Sequence, residues 1–271
     1  MSRTHPKAVV TYASCAIGLL YADRLARRGY DLVMLTGGAD RPTALAHILR
    51  AETDVSVEVL AADISTDQGL EEVEARFAGE AGFDLVVNNL GLPPGKPLSE
   101  MRATDLDRLI EANVRAYARL STAASRSMTR RGGGAIINVA SAVGLAPELA
   151  TGAYGASKAF LIALTRSMQD ELACHGVFVQ LVLTAATRTD IWPFPVCEPE
   201  NLPGMMTAAD LVDAALAGFD LREAVTIPSL AKTGRWASYE RARRTLLAEL
   251  VNSEPAPRYR RQGRPRRRTR G

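Results

Sequence analysis

The chain has 271 residues, 47% of them apolar, and a formal net charge of +3, which is material for one well-filled α/β domain without requiring two. No run of eighteen apolar residues occurs, which excludes an ordinary membrane-spanning helix. Cys15, Cys174 and Cys197 show neither C-x-x-C spacing nor an even count, and the three histidines are scattered, so a disulfide framework and a metal cluster are both unexpected and a reducing, cytoplasmic setting fits.

From residue 8 to about residue 228, short runs rich in Val, Leu and Ile alternate with longer helical patterns, the signature of repeated βαβ units. The spacing predicts strands over 8–12, 31–36, 55–61, 84–88, 134–140, 177–183 and 224–227. Helices are predicted over 17–29, 42–53, 67–80, 104–131, 152–175 and 207–219, with Asp67 and Thr104 as caps, and a last helix over 236–251. Arg3 and Lys7 ahead of the mostly apolar stretch 8–22 resemble the opening of a signal peptide, but Val9 and Val10 suit a buried strand better. Right-handed crossovers then give a seven-stranded, doubly wound parallel sheet with helices on both faces, and ligands are expected beyond the carboxyl ends of its strands.

Residues 1–252 read as a single domain. Within it, the segment 184–206 breaks the rhythm with Pro193, Pro195, Pro199 and Pro203 beside Trp192 and Phe194; it reads either as a lid over an apolar substrate or as a surface excursion packed on the core. Residues 253–271 read as a disordered Arg-rich tail, with eight Arg and no acid from 258 onward, leaving the preceding residues at −5. No aromatic series or binding motif accompanies those arginines, so a solvated extension is expected rather than a nucleic-acid partner.

The pentapeptide Tyr154-Gly155-Ala156-Ser157-Lys158 carries the chemistry. On a helix, side chains four residues apart share a face, so the Lys158 ammonium can favour the ionised form of the Tyr154 phenol. Bringing a tyrosine from near 10 toward 7 takes roughly 4 kcal/mol of differential stabilisation.

Taken in order, Thr11 to Gly18, Asn88-Asn89-Leu90-Gly91, Asn113, Ser141, Tyr154-x-x-x-Lys158 and Thr189 resemble the short-chain dehydrogenases/reductases over about residues 7–230. The resemblance implies a Rossmann-like fold and a carbonyl–alcohol interconversion on a small, apolar substrate. It implies Tyr154 as acid/base, Lys158 lowering its pKa and holding a ribose hydroxyl, Ser141 bonding the substrate oxygen, and Asn113 supporting a proton-relay water. Cofactor contacts would come from Thr11, Ser14, Ile17, Gly18, Arg41, Asp63, Asn89, Gly91, Lys158 and Thr189. Thr36, Gly37 and Gly38 end the second strand without the carboxylate that selects NAD, and Arg41 stands a short loop away, so NADP(H) is favoured over NAD(H). Homodimers or homotetramers are implied through helices 104–131 and 152–175.

The chain departs from the family's T-G-x-x-x-G-x-G loop, having Tyr12 and Ala16 at two of its three glycines. Tyr12 is the severe change, because a left-handed conformation there would cost roughly 1 to 2 kcal/mol and its ring needs space near the dinucleotide. Leu90 and Thr184-Ala185, in place of the family's Ala and Pro-Gly, border the same region. A second reading therefore stands beside the first: a member that has lost productive dinucleotide binding and serves as a non-redox acid/base catalyst or a small-molecule binding protein.

Overall fold

The computed structural model describes residues 5–37, 40–79, 82–93, 95–149, 153–185, 187–188, 205–251 and 253–259. They separate into two compact units, Met1–Ser229 and Leu230–Gly271, whereas the sequence reading carries one domain to residue 252. The first unit is built on β1 (Lys7–Val10), β2 (Asp31–Thr36), β3 (Val57–Ala61), β4 (Leu85–Asn88), β5 (Gly134–Ser141), β6 (Val177–Thr184) and, after a short ladder of β7 (Thr187–Arg188) with β8 (Met206–Thr207), β9 (Val225–Thr226). The seven-stranded sheet has the order β3-β2-β1-β4-β5-β6-β9, and every pairing is parallel. Strands buried on both faces explain the unbroken apolar runs: β4 is buried along its whole length and β5 from its second residue.

Helices α1 (Ala16–Arg27), α2 (Asp40–Glu52), α3 (Asp67–Ala78), α4 (Ala103–Ile110), α5 (Tyr117–Arg131), α6 (Tyr154–Ala173) and α7 (Ala208–Asp220) make the crossovers. One face of the sheet carries α1 with α2 and α7, the other α3, α5 and α6. α1 faces the core with Ile17, Tyr21, Ala22, Leu25 and Ala26, the three-and-four spacing of an amphipathic helix. Thr66, rather than Asp67, caps α3, its hydroxyl accepting from the Gly69 N–H at 3.1 Å; Thr104 lies inside α4, whose N-cap is Arg102. Both alternatives are polar residues next to a helix start, and only the backbone dihedrals separate them.

One further expectation is corrected. The helix predicted over 104–131 is three pieces, because a π-helical turn over Glu111–Ala116 separates α4 from α5. The ladder of β7 with β8 joins the two ends of the segment 184–206, pairing Thr187 with Met206 and Arg188 with Thr207. Trp192, Phe194 and the four prolines of that segment, like Thr189 and most of the Arg-rich tail, lie outside the described residues.

The second unit holds α8 (Thr233–Leu250), which buries none of its residues. The Trp236 and Tyr239 rings stack along it at 5.2 Å, and Glu240 pairs with Arg243 at 3.2 Å, both at i,i+3 spacing. Among the described residues no helix is long and apolar enough to cross a membrane.

Candidate active site

The order of strands reverses between β1 and β4, and the loops leaving their carboxyl ends are stitched together there. The buried Thr11 hydroxyl donates to the Val87 carbonyl at 3.2 Å and accepts from the Asn89 N–H at 2.9 Å. The Asn89 side-chain amide donates to Cys15 Sγ at 3.0 Å, and that sulfur caps α1 by accepting from the Gly18 N–H at 3.4 Å. A Cβ on Gly18 would lie 2.5 Å from the Tyr12 carbonyl oxygen, so this glycine is required for the helix to start against the turn. Tyr12 adopts φ 53°, the left-handed conformation expected of the glycine it replaces.

On the other side of the crevice, α6 opens with Tyr154 and brings Lys158 one turn later, the ammonium 5.6 Å from the centre of the Tyr154 ring. Lys158 is buried, and the backbone of Gly91 passes so close that a Cβ there would sit 2.7 Å from Nζ. The π-helical turn presents Asn113, whose Oδ1 accepts from the Leu92 N–H at 2.6 Å and whose Nδ2 donates to Ser157 Oγ at 3.0 Å. Ser157 in turn donates to the Tyr154 carbonyl at 2.7 Å. Leu92, Asn113, Ser157 and Tyr154 thus form one bonded chain between β4 and α6. Ser141, at the end of β5, donates to the Thr184 carbonyl at 3.3 Å and accepts from the Val143 N–H at 3.4 Å.

These elements enclose two neighbouring cavities. One, of about 100 Å³, is lined by Ile17, Asn89, Gly91, Ser141, Tyr154 and Lys158 among others. The second, of about 170 Å³, shares Leu90, Gly91 and Leu92 with it and extends past Tyr12 to Thr36, Gly37, Asp63 and Ile64. The larger hollow of about 660 Å³ lies at the amino-terminal ends of β2 and β3, with Lys7, Asp31 and Val57 in its wall, and contains none of these groups.

Burial sets the protonation of the pair. It pushes the Tyr154 phenol up to about 12 and the Lys158 ammonium down to about 8. The net shift of the phenol is upward, set by loss of water, with the Lys158 ammonium 5.6 Å from the centre of its ring. At neutral pH the phenol keeps its proton and the ammonium its charge. That combination suits a proton donor with a cation ready to stabilise the phenolate left behind.

Of the expected contacts, Ile17, Asn89, Gly91, Ser141, Tyr154 and Lys158 meet in the first cavity, and Asp63 lies in the second, its carboxylate held by the Ser65 N–H and hydroxyl at 3.0 and 2.6 Å. Thr11, Gly18 and Asn113 act through bonding and packing, Asn113 having its side-chain amide committed to Leu92 and Ser157. Ser14 and Arg41 line neither cavity.

A family model described as short chain dehydrogenase matches residues 6–194. The chain belongs to the short-chain dehydrogenase family. Family members are oxidoreductases acting on hydroxyl and carbonyl groups. This short-chain dehydrogenase is 31% identical over 185 residues to the human 17-beta-hydroxysteroid dehydrogenase type 3, covering 67% of this chain and 59% of that one. It is 29% identical over 189 residues to the very-long-chain 3-oxoacyl-CoA reductase of Mus musculus, covering 68% and 60%. The match thus spans about 60% of the length of these curated relatives. Among solved structures, a short-chain dehydrogenase from Sphingobium yanoikuyae in complex with NADPH superposes with a TM-score of 0.90 at 42% identity, covering 94% of this chain and all of that one. The bulky-bulky ketone specific alcohol dehydrogenase from Comamonas testosteroni superposes with a TM-score of 0.87 at 40% identity, covering 94% and 98%.

Sequence reasoning missed three participants in this short-chain dehydrogenase: Cys15 as the cap of α1, Ser157 as the link between Asn113 and Tyr154, and Thr187 in the wall of the first cavity. Ser157 was accessible, since it lies three residues from Tyr154 and therefore on the same helical face. Cys15 and Thr187 carry no spacing signal.

The chain's residues fit a nicotinamide dinucleotide. The donors in the first cavity are a hydroxyl, a phenol and an ammonium, and Gly18 and Gly91 let the turn after β1 and the Lys158 side chain pack close to the crevice. Asn89 and Thr11 are already engaged in shaping the loop.

Proposed function

We propose that this protein is an NADP(H)-dependent oxidoreductase that interconverts a ketone and a secondary alcohol on a small, apolar substrate. The observation that carries the reading is the meeting of Tyr154 with the buried Lys158 and Ser141 around one cavity at the carboxyl ends of the strands. A nicotinamide dinucleotide bound along the two cavities supplies or accepts the hydride.

Lys158, Asn89, Gly91 and Ile17 hold and orient it at the first cavity, with Asp63 at the second. Thr11 and Gly18 keep the loop in shape, and Ser14, Arg41 and Thr189 remain candidate contacts of the phosphates, the extra phosphate and the carboxamide. Ser141, turning its one hydroxyl proton from the Thr184 carbonyl, donates a hydrogen bond to the substrate oxygen, where negative charge develops, so that it stabilises the transition state more than the ground state. Tyr154 donates its proton to that oxygen, and the Lys158 charge stabilises the phenolate; such general acid assistance contributes about 10² to 10⁴-fold. Asn113 is a positioning residue that fixes the Leu92 backbone and, through Ser157, the start of α6.

The choice of NADP(H) rests on Thr36 and Gly37 offering no carboxylate at the end of β2, and on the NADPH bound by the Sphingobium yanoikuyae relative. The Comamonas testosteroni relative makes ketones with two large substituents the first substrates to try. Cytoplasmic residence, from the cysteine usage, and assembly as a homodimer or homotetramer, from the resemblance, complete the reading.

Calorimetric titration with NADPH and NADH, followed by ketone reduction monitored through loss of NADPH absorbance, tests it. Binding of NADPH with turnover is expected. Absence of binding of both dinucleotides at millimolar concentration refutes it.

A further inference from the structure

Tyr12 is the strained residue of this loop. Its φ of 53° is a conformation that glycine adopts freely and a bulky aromatic does not. Such conformations persist where the surroundings over-determine them and where the strain serves a purpose. Here the surroundings do over-determine it: the Tyr12 carbonyl accepts from the Cys15 N–H at 3.3 Å, the Ala13 N–H donates to the Leu35 carbonyl at 2.9 Å, and Gly18, lacking a Cβ, lets α1 start against that turn.

The place of Tyr12 supplies the purpose. It is half-buried, packs on the core, and lines the 170 Å³ cavity together with Asp63, Ile64, Thr36 and Gly37. It is absent from the wall of the cavity that holds Tyr154 and Lys158. Tyr12 therefore lines the other end of the crevice and not the cavity of the reacting pair. The ends of β2 and β3 bound that end, where a doubly wound sheet receives the adenosine half of a dinucleotide.

We propose that the Tyr12 ring is a stacking platform for the adenosine half of the cofactor, making the side chain that replaces the glycine a positioning residue instead of an obstruction. The inference rests on the dinucleotide-dependent reading above. A flat aromatic surface offers contact area to a purine that glycine lacks, which offsets the weakened glycine-rich loop. The phenol hydroxyl is not needed for that role, because stacking uses the ring face.

Calorimetry on the full chain tests this with three probes: NADPH, adenosine 2′,5′-bisphosphate and reduced nicotinamide mononucleotide. Tyr12→Phe is expected to bind all three within threefold of wild type. Tyr12→Ala is expected to bind NADPH and adenosine 2′,5′-bisphosphate about five- to 150-fold more weakly, the usual range for removing a base-stacking ring, with the nicotinamide fragment unaffected. Tyr12→Gly separates strain from stacking: it raises the melting temperature by relieving the left-handed backbone, yet still loses affinity for the adenosine fragment. Adenosine 2′,5′-bisphosphate binding to Tyr12→Gly as tight as or tighter than to wild type overturns the inference while leaving the oxidoreductase reading intact. Failure of wild type to bind NADPH overturns both.

Discussion

Replacing Lys158 with methionine isolates what burying an ammonium costs this fold. The residue is 6% exposed, so solvent screens it little. Burial lowers its pKa from the ordinary 10.5 to about 8. As pH rises, the folded protein therefore sheds this proton before the unfolded chain does. Between about 8 and 10.5 the unfolded chain holds more protons, and stability rises with pH. At 1.36 kcal/mol per pH unit the gain across that window is about 3 kcal/mol.

Methionine has a similar length and no charge, so Lys158→Met lacks this slope. Tyr154, raised to about 12 by burial alone, destabilises the fold as pH climbs above 10, but it is present in both proteins and cancels from their difference. Urea unfolding of both proteins at pH 7 and in half-unit steps from 8 to 10 reads the effect. The variant should be more stable at pH 7 by about 3 kcal/mol, with the wild type recovering most of the gap by pH 10. A gap that is independent of pH, or that widens in the variant's favour as pH rises, refutes the reasoning.

Tyr154→Phe should lower ketone reduction at least 100-fold while the NADPH dissociation constant stays within about threefold, because only the proton donor is removed; stopped-flow absorbance and calorimetry check the two halves. Reductive kcat/KM should be level below about pH 8 and fall above it as Lys158 loses its charge, and a profile still level at pH 9.5 would place the essential cation elsewhere. Gly91→Ala should drive its methyl into the space 2.7 Å from Lys158 Nζ and strain a backbone held at φ 157°, costing about tenfold or more in NADPH affinity and lowering the melting temperature as well; unaltered affinity would count against the Gly91–Lys158 contact. Asn113→Ala leaves the Leu92 N–H and Ser157 without their partner and should destabilise by about 1–3 kcal/mol in chemical denaturation, whereas wild-type stability would mean that the Leu92 segment is held by other contacts.

Much of the architecture was legible before any coordinates because buried parallel strands need continuous apolar runs, and β2, β4, β5 and β6 consist of little else. The turn after β1 was legible as a strained place, since Tyr12 stands where only glycine is comfortable, and its φ bears that out. The break between α4 and α5 was not. A π-helical turn adds one residue to a helical repeat without changing its composition, so the apolar period alone does not reveal it. The direction of the Tyr154 shift was also hidden, because spacing reports which charge is near and says nothing of how much water is lost.

The amino-acid order by itself determined the succession of strands and helices and the pairing of Tyr154 with Lys158 along α6, because these follow from local periodicity. Tertiary structure alone decided which strands are neighbours, that Asn113 reaches Leu92 and Ser157, that burial raises the Tyr154 phenol, and that Tyr12 lines the cavity away from the reacting pair. The physical division is one of range: backbone propensity and helical spacing act over a few residues, whereas desolvation, cavity shape and the course of a crevice are sums over segments that meet only once the chain has folded.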